Sequence, residues 1–316
     1  MKAVAIKKIK GVPELMELPK PELRSGAILV KMEAAGMNPF DWKMIDGILQ
    51  DKMKHQFPMI LGVDGAGVVE DVAEGVTRFK KGDKVFGQFL HVPVGEGSYA
   101  EYIVVPEKAN ITHAPKTVTA VEAAAVPTAG MTAQQLLDGL HLHKGDLLLI
   151  LGSTGGVGSF ATQMAAQEGI KVIATVSDKE GGERMKKLGA AYTINYEEAP
   201  VADQVQRQFP EGVHGIIDLV SPAAGFSKNL SLLRPGGGAF TTVFVADEAE
   251  MKQKGIHGGN FEAKGSPAVF DKLASIIDSG EINIPVETKI HLEEVPDAIL
   301  ESRRGRGKGK TVIVMS

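Results

Sequence analysis

Glycines concentrated in one short stretch could hold a phosphate group. Residues 147–158 read LLLILGSTGGVG, a short apolar run that leads into a turn containing Gly152, Gly155, Gly156 and Gly158. Apolar residues recur at helical spacing in the following segment, SFATQMAAQEG, so the sequence predicts a strand, a tight turn and a helix. Chains use this unit to bind phosphates, because glycines let backbone N–H groups come close and the helix N terminus carries a partial positive charge.

The spacing of these glycines leaves two interpretations open. It is G-x-x-G-G-x-G, not a strict G-x-G-x-x-G, and a purely structural strand-to-helix turn has the same composition. In the phosphate-binding interpretation, the hydroxyls of Ser153 and Thr154 donate to the phosphates beside the backbone amides. The candidate cofactor-binding residues of the turn are Gly152, Ser153, Thr154, Gly155, Gly156, Val157 and Gly158.

Composition limits the classes of function. The chain has 316 residues, 43% hydrophobic and 23% charged, which is typical of a soluble globular protein with room for two domains. The net charge of −4 argues against nucleic acid as a partner. One basic cluster precedes the last predicted strand, and we expect it to be a solvated loop. The cluster consists of Arg303, Arg304, Arg306, Lys308 and Lys310.

The chain contains no cysteine, which excludes disulfides, thiolate nucleophiles and cysteine-ligated zinc. We therefore expect no metal site. No stretch approaches the roughly 20 apolar residues of a membrane span, and the N-terminal residues lack the apolar region of a signal peptide. These features predict no membrane partner and a cytoplasmic location.

Residues 1–118 predict a β-rich domain. MKAVAIKK, GAILVKMEAAGM, GVDGAGVVEDVA, DKVFGQF and GSYAEYIVV are short runs of strand-forming residues bounded by Gly, Pro or Asp. Runs of this kind indicate a folded-over barrel or sandwich. Between them, NPFDWKMIDG predicts a short helix with Asn38 or Asp41 as its cap.

From residue 119 onward, strands and helices alternate. IKVIATV, AAYTINY, HGIIDLV and GGAFTTVFV are strand-like, and helical segments separate them. Repeated β-α units predict a doubly wound parallel sheet. After residue 260, two amphipathic helices precede the strand TVIVM, which we expect to return to the first domain. The predicted layout is a domain of residues 1–118 plus 261–316, with a cofactor-binding domain, 119–260, inserted in it.

Motifs along the chain together resemble one family. AAGMNPFD, GVDGAGVV, KGDKVFG, GSYAEY, PTAGMTA, STGGVGS, LGAAYTINY and LRPGGG occur in this order, and the chain closes with GKGKTVIV. Over nearly the whole chain, this order resembles the zinc-independent medium-chain dehydrogenase/reductases, the quinone oxidoreductase and enone reductase group. The resemblance implies an α/β fold in which a Rossmann domain is inserted in a GroES-like β-barrel domain.

The resemblance also bears on metal chemistry. Zinc-dependent relatives carry Cys and His where this chain has Asn38 and Val63, and Cys near Ala125. Without a Lewis acid, hydride removal from a simple alcohol is disfavoured. Reduction of a conjugated acceptor is easier, because the cofactor delivers hydride to an electrophilic carbon and the protein mainly orients the reactants.

The end of the strand IKVIATV determines the expected dinucleotide. An NAD enzyme usually places a carboxylate there for the ribose 2′-OH, whereas the matching position here is Val176. NADPH is therefore the expected cofactor, with Ser177, Lys179, Tyr196 and Arg184 available to its 2′-phosphate. An ordinary solvated loop is the alternative interpretation of these residues.

The resemblance implies roles for residues outside the glycine turn. Asn38 would reach the nicotinamide ribose or the substrate, Thr128 would contact the nicotinamide amide, and Asp41 is the third catalytic candidate. Helix capping alone would also explain either Asn38 or Asp41, and the functional role is favoured for Asn38. At the carboxyl ends of the parallel strands, in a cleft between the domains, we expect Val220 and Thr242 to line the cofactor site.

The sequence thus predicts an NADPH-dependent, zinc-free oxidoreductase that transfers hydride to a quinone or an α,β-unsaturated carbonyl. Two alternatives remain open: an enoyl-thioester reductase, for which the basic cluster is the candidate coenzyme A site, and a non-catalytic NADPH-binding protein of the sensor or crystallin-like type. The family resemblance also implies a homodimer.

Overall fold

The computed structural model describes residues 1–305 and 309–315. The chain divides into two compact units. The first unit comprises Met1–Met131 and Gly265–Ser316, and the second comprises Thr132–Lys264.

Strands predominate in the first part of the chain, whereas strands and helices alternate in the middle. The first part of the chain contains β1 (Lys2–Ile6), β2 (Glu14–Glu17), β3 (Ala27–Gly36), α1 (Pro39–Ile45), β4 (Met59–Ile60), β5 (Asp64–Val72), β6 (Lys84–Gln88), β7 (Tyr102–Pro106), β8 (Ile111–His113), α2 (Ala120–Ala125) and α3 (Pro127–Leu140). The middle contains β9 (Leu147–Leu151), α4 (Gly156–Gln167), β10 (Lys171–Val176), α5 (Lys179–Lys187), β11 (Tyr192–Asn195), α6 (Val201–Gln208), β12 (Val213–Asp218), α7 (Ala223–Leu230), β13 (Leu233–Thr241), α8 (Glu248–Gln253) and β14 (His257–Asn260). The last part contains α9 (Pro267–Asp278), β15 (Val286–His291), a 3₁₀ turn (Leu292–Glu294), α10 (Val295–Arg303) and β16 (Lys310–Val314).

The first unit is built around mostly antiparallel strands. Its larger sheet has the order β15-β16-β3-β5-β6-β8, and β7 also pairs with β3. The long strand β3 pairs antiparallel with both β5 and β16, and the closing strand β16 therefore brings the end of the chain into this sheet. Alternating apolar residues of these strands form the core, among them Ile28, Val30, Val69 and Val85.

The second unit contains the parallel sheet that the β-α pattern predicted. Its order is β11-β10-β9-β12-β13-β14, and each neighbouring pair is parallel. This order, with β9 central and the direction of strand addition reversing between β9 and β12, is that of dinucleotide-binding folds. Buried apolar residues of the central strands, such as Leu149, Ile173 and Ile216, pack against the helices. The predicted α/β fold class is confirmed.

Two details differ from the sequence prediction. The unit boundary falls within α3 instead of at residue 118, because α2 packs against β3 and β5 and buries Ala123, Ala124 and Ala125. The segment 245–260, for which the sequence predicted no element, contains α8 and β14. Strand β14 reads HGGN and has none of the β-branched residues that mark a strand in a sequence.

The basic cluster does not form one solvated loop. Lys310 lies in β16 with only 3% of its surface exposed, which contradicts the expectation for this residue. Arg303 and Arg304, at the end of α10, are exposed and form ion pairs with Asp46 and Glu301, respectively. Arg306 and Lys308 lie outside the described residues.

Candidate functional site

The glycine turn joins β9 to α4, as the sequence predicted. Strand β9 ends at Leu151, Gly152 has a positive φ of +80°, and helix α4 begins at Gly156. Gly155 is the residue that precedes the helix, and no side chain caps this end. The N terminus of a 12-residue helix therefore presents backbone N–H groups without a side-chain acceptor, which is the arrangement that binds phosphates.

The glycines of the turn meet two different requirements. A Cβ at Gly158 would lie 2.5 Å from both the carbonyl oxygen of Gly152 and the Cα of Ser153, so only glycine lets the helix pack this closely on the turn. A Cβ at Gly155 would have the carbonyl oxygen of Gly152 as its nearest neighbour, at 3.5 Å, so this side of the turn is open. An open backbone cradle at a helix N terminus fits the pyrophosphate of a dinucleotide.

The side chain of Ser153 has a structural role. Its hydroxyl is buried and donates to the backbone carbonyl of Thr175 at 2.6 Å, which ties the turn to β10. The donation of this hydroxyl to a phosphate stays a prediction, and the structure shows it bonded to β10. The backbone carbonyl of the next residue, Thr154, accepts a hydrogen bond from Nη2 of Arg184 at 2.7 Å. Arg184 thus lies beside the glycine turn, although it comes from α5.

The residues expected near a 2′-phosphate lie around the end of β10. The hydroxyl of Ser177 donates to Oδ2 of Asp178 at 3.0 Å, and Oδ1 of Asp178 accepts from the amide of Gly181 at 2.7 Å, which caps α5. The side chain of Lys179 is 93% exposed and pairs with Glu183 at 3.9 Å. Arg184 is therefore the cation of this group that contacts the turn.

Three further side chains stand at the carboxyl edge of the parallel sheet. The backbone amide of Tyr196 donates to the carbonyl of Val176 at 3.0 Å, and its side chain is exposed. Val220 is exposed beyond β12, and a Cβ at Gly152 would come within 2.8 Å of its Cγ1. The amide of Thr242 donates to the carbonyl of Asp218 at 3.3 Å, so it lies just past β13 beside the end of β12.

Sequence reasoning missed one feature of this edge. Phe244, two residues beyond Thr242, has a φ of +62° and is 54% exposed. A bulky residue rarely adopts the left-handed region, and such strain concentrates at functional sites. The sequence gives no sign of it, because backbone strain leaves no signature in residue type.

In the first unit, Asn38 and Asp41 form the N terminus of α1. The backbone amide of Asn38 donates to Oδ2 of Asp41 at 2.7 Å, and Pro39 occupies the first helical position. This is the capping arrangement that the sequence offered as one explanation of the two residues. Both side chains are buried, Asn38 at 4% exposure and Asp41 at 0%.

The amide of Asn38 makes hydrogen bonds on both of its sides. Its Nδ2 donates to Oδ2 of Asp64 at 2.9 Å, and its Oδ1 accepts from Nζ of Lys310 at 2.6 Å. The same ammonium donates to the backbone carbonyl of Met37 at 2.7 Å. The position of Asn38 is therefore fixed by residues from β5 and β16.

Thr128 belongs to the same set of contacts. Its hydroxyl donates to Oδ1 of Asp64 at 2.6 Å, and its backbone amide donates to Oδ2 of Asp64 at 2.9 Å. Nε2 of Gln88 donates to the Thr128 hydroxyl at 2.8 Å. Asp64 thus connects the two candidate residues, Asn38 and Thr128, that sequence reasoning named separately.

Tyr99 is joined to these contacts through Asp41, which accepts from the backbone amide of Asn38. The buried phenol of Tyr99 donates to Oδ2 of Asp41 at 2.7 Å, while the buried Oδ1 of Asp41 has no hydrogen-bond partner. Burial raises the pKa of Asp41 to about 7, although the hydrogen bonds from Tyr99 and Asn38 oppose the increase. Burial also raises the pKa of Tyr99 well above its ordinary value, so the phenol stays protonated.

Together these residues form what we call the buried polar network. It consists of Asn38, Asp41, Asp64, Tyr99, Thr128 and Lys310. Burial raises the pKa of Asp64, and Lys310 with the hydrogen bonds of Thr128 and Asn38 opposes this. Burial lowers the pKa of Lys310, and the two carboxylates oppose that change. The positive charge of one buried ammonium therefore acts on two buried carboxyl groups.

The donor set at the positions of the zinc ligands does not fit a metal. Val63 and Ala125 are buried apolar residues, and the amide of Asn38 is engaged by Asp64 and Lys310. Within residues 1–305 and 309–315, no group of three or more His, Cys, Asp or Glu side chains could hold a metal ion.

A cavity of about 220 Å³ lies elsewhere in the first unit. It is lined mainly by apolar residues, and none of the candidate site residues named from the sequence is among them. Its lining comprises Met1, Leu18, Pro19, Pro21, Gln56, Pro58, Ile60, Gly95, Glu96, Gly97, Tyr102, Ile103 and Val104.

Comparison with known families agrees with the two units. The alcohol dehydrogenase GroES-like domain matches residues 24–116, and the zinc-binding dehydrogenase family matches residues 156–275. A chloroplast envelope quinone oxidoreductase homolog of Arabidopsis thaliana is 31% identical, with 95% of this chain and 93% of the relative covered. A mitochondrial NAD(P)H oxidoreductase of Homo sapiens is 30% identical, with 90% and 81% covered.

A solved structure agrees as well. A mycobacterial protein in complex with NADPH superposes with a TM-score of 0.84 at 26% identity, and the match covers 100% of both chains. A GroES-like domain combined with a Rossmann sheet defines a class of dinucleotide-dependent oxidoreductases. This chain belongs to the medium-chain dehydrogenase/reductase family, in its quinone oxidoreductase branch, and is an NAD(P)H oxidoreductase.

In the part of the chain that the structure describes, no helix has both the length and the apolar character needed to cross a membrane.

Proposed function

We propose that the protein is an NADPH-dependent, zinc-free oxidoreductase that transfers hydride to a quinone or an α,β-unsaturated carbonyl. The observation that carries the proposal is the open, uncapped glycine turn between β9 and α4, where the space beyond Gly155 is free. The relative named as a quinone oxidoreductase homolog supports the choice of acceptor.

The preference for NADPH rests on charge at the end of β10. Val176 offers no carboxylate to a ribose 2′-OH, so nothing at that position repels a 2′-phosphate. Arg184 contacts the carbonyl of Thr154, and a guanidinium is well suited to bind phosphate. Asp178 is close by, but both its oxygens accept hydrogen bonds from Ser177 and Gly181.

The chemistry divides between cofactor and protein. Bound NADPH supplies the hydride. The backbone amides of residues 156–158, in the first turn of α4, would hold the pyrophosphate, and Asn38 and Thr128 would orient the nicotinamide end, as the family resemblance implies. Because the positions of the zinc ligands hold Asn38, Val63 and Ala125, polarisation of a substrate oxygen by zinc is not part of the proposal.

Rapid mixing tests the proposal. NADPH-loaded protein is mixed with 1,4-benzoquinone and, separately, with an alkyl enone, and the loss of NADPH absorbance is followed. We expect single-turnover oxidation with at least one acceptor. If NADPH binds and no acceptor in a broad panel is reduced, the non-catalytic alternative replaces this proposal. If neither NADPH nor NADH binds, the cofactor assignment is wrong as well.

A substitution at Arg184 tests the preference for NADPH over NADH. Arg184→Ala removes the guanidinium beside the turn, so we expect the affinity for NADPH to fall about tenfold while that for NADH changes little, since one charge-assisted hydrogen bond is lost. Lys187→Ala is the matched control, because Lys187 is an exposed residue at the end of the same helix, α5, and is not a candidate for the cofactor site. An equal loss for both nucleotides would contradict the role of Arg184.

The enoyl-thioester alternative receives less support than the sequence indicated. It relied on the basic cluster, and Lys310 of that cluster is buried. Turnover of crotonyl thioester in the same mixing experiment would nevertheless establish it. Homodimerisation and a cytoplasmic location remain predictions, and light scattering of the purified chain tests the first.

A further inference from the structure

Lys310 is a buried ammonium to which the proposed reaction assigns no role. It lies at the start of β16, is 3% exposed, and donates to the carbonyl of Met37 at 2.7 Å and to Oδ1 of Asn38 at 2.6 Å. A buried charge is costly unless it is paired and hydrogen-bonded. The contacts of Lys310 have two consequences for the neighbouring side chains.

The first consequence concerns the orientation of Asn38. A lysine ammonium only donates hydrogen bonds, so the atom of Asn38 that faces it must be the carbonyl oxygen. The Nδ2 group then faces Asp64, where it donates at 2.9 Å. A flipped amide would place NH₂ against the ammonium and oxygen against the carboxylate. Lys310 therefore selects one of the two orientations.

The second consequence concerns Asp64 and Thr128. The positive charge of Lys310 offsets the cost of keeping Asp64 ionised in the protein interior. In its ionised form Asp64 accepts hydrogen bonds from the Asn38 amide and from both the hydroxyl and the backbone amide of Thr128. One ammonium thus supports a continuous chain of contacts from β16 to the start of α3.

We infer that Lys310 is a positioning residue of the oxidoreductase reaction: it holds Asn38 and Thr128 in one fixed arrangement through the Asn38 amide and Asp64. The inference rests on the proposed function, because that function assigns Asn38 and Thr128 to the nicotinamide end of the cofactor. Lys310 itself touches neither cofactor nor substrate in this role.

Lys310→Met tests the inference, since methionine keeps much of the length and loses the charge and the donors. We expect kcat of the folded variant to fall about 10- to 100-fold, as misplaced positioning groups do. Lys310→Arg keeps a charged donor and is expected to recover part of the loss. Lys289→Met is the matched control, because Lys289 is an exposed residue of the neighbouring strand β15.

Ligand binding gives a readout that needs no turnover. NADP⁺ contains the nicotinamide riboside, and adenosine 2′,5′-bisphosphate lacks it. We expect Lys310→Met to lower the affinity for NADP⁺ about tenfold, which corresponds to the loss of one to two hydrogen bonds, and to leave the affinity for the bisphosphate unchanged. Equal weakening of both ligands, or of neither, overturns the inference.

The buried charge complicates folding of the single variant. Lys310→Met leaves Asp64 without its counter-charge, so its thermal midpoint is expected to fall. Lys310→Met with Asp64→Asn removes ammonium and carboxylate together and provides a neutral variant. If this folded double variant binds NADP⁺ and turns over as the wild type does, Lys310 is not a positioning residue. If the wild type itself reduces no acceptor, the proposed function fails, while the two-ligand comparison still tests Lys310.

Discussion

The glycine turn of the second unit and the buried polar network of the first both contain polar groups. The turn leaves backbone N–H groups open, whereas the network pairs its polar side chains with one another. The turn, residues 152–158, has no side chain capping its helix and leaves open space beside Gly155. In the network, each oxygen and nitrogen atom of the Asn38 and Asp64 side chains lies within hydrogen-bond distance of a partner.

The difference indicates where each region is sensitive. A phosphate can approach the backbone of the turn because its glycines lack a Cβ atom, so adding a single carbon there should impair phosphate binding. The contacts of Asn38 and Asp64 depend on every partner being present, so removing one group should leave others unsatisfied. Substitutions in the network should therefore carry a cost in stability beside any effect on positioning, whereas the open side of the turn should allow substitutions that impair ligand binding alone.

The largest loss of stability is expected for Asp64→Ala. Asp64 is fully buried and accepts from Asn38 and Thr128, so its loss leaves those donors without their acceptor and removes a carboxylate whose charge favours the Lys310 ammonium. We expect the free energy of unfolding to fall by about 3–5 kcal/mol. Urea denaturation measures it. Asp71→Ala on the exposed end of the same strand is the control, with an expected change within about 0.5 kcal/mol. Similar losses for both variants would contradict the role of Asp64.

Gly158→Ala is expected to damage both folding and binding. Its Cβ would lie 2.5 Å from backbone atoms of Gly152 and Ser153, which cannot move aside as a flexible side chain can. We expect a loss of about 1–3 kcal/mol of stability from overpacking and no measurable NADP⁺ binding by calorimetry. Gly182→Ala, whose Cβ would meet its nearest atom at 3.8 Å, should be tolerated. Normal binding by Gly158→Ala would mean that the turn can rearrange.

Gly155→Ala separates binding from stability within the same turn. The added Cβ would meet only the carbonyl of Gly152 at 3.5 Å, and a φ of −77° suits alanine, so the free energy of unfolding should change by less than about 0.5 kcal/mol. The methyl group would occupy the space assigned to the pyrophosphate, so NADP⁺ affinity should fall at least about tenfold, or about 1.4 kcal/mol. Unchanged affinity would place the phosphates elsewhere.

The same contrast explains what the sequence could reveal. The turn lies within residues 147–158, so strand, glycines and helix are adjacent in the sequence and the motif is readable. The cap at Asn38 and Asp41 is readable for the same reason, because its partners are three residues apart. The alternation of strands and helices likewise predicted the parallel sheet.

The network could not be read in this way. Asn38 and Asp64 are 26 positions apart, Asp64 and Thr128 are 64 apart, and Asn38 and Lys310 are 272 apart. Nothing local distinguishes Lys310 from the neighbouring basic residues, with which it was grouped as solvated. Only the pairing of β16 with β3 brings it to the start of α1. Motifs formed by tertiary contacts require the fold before they can be recognised.

The most gradual expected effect is a pH dependence at the edge of the network. Asp41 has a buried Oδ1 without a hydrogen-bond partner, and burial raises its pKa to about 7 from the ordinary 3.8. Since the folded state holds this proton more tightly than the unfolded state, the proton stabilises the fold at low pH, and the contribution is lost as pH rises from about 4 through about 7.

Asp41→Asn removes this titration while keeping an oxygen that can accept from Asn38 and Tyr99. We therefore expect the wild type to lose stability relative to Asp41→Asn between pH 5 and pH 8, by at most about 1.4 kcal/mol per pH unit. Urea denaturation at several pH values measures the difference, and groups common to both proteins cancel. Tyr99→Phe should shift the dependence to higher pH, because it removes a hydrogen bond that favours the carboxylate. A difference that stays constant with pH would mean that Asp41 remains ionised throughout, with Lys310 neutralising Asp41 and not only Asp64.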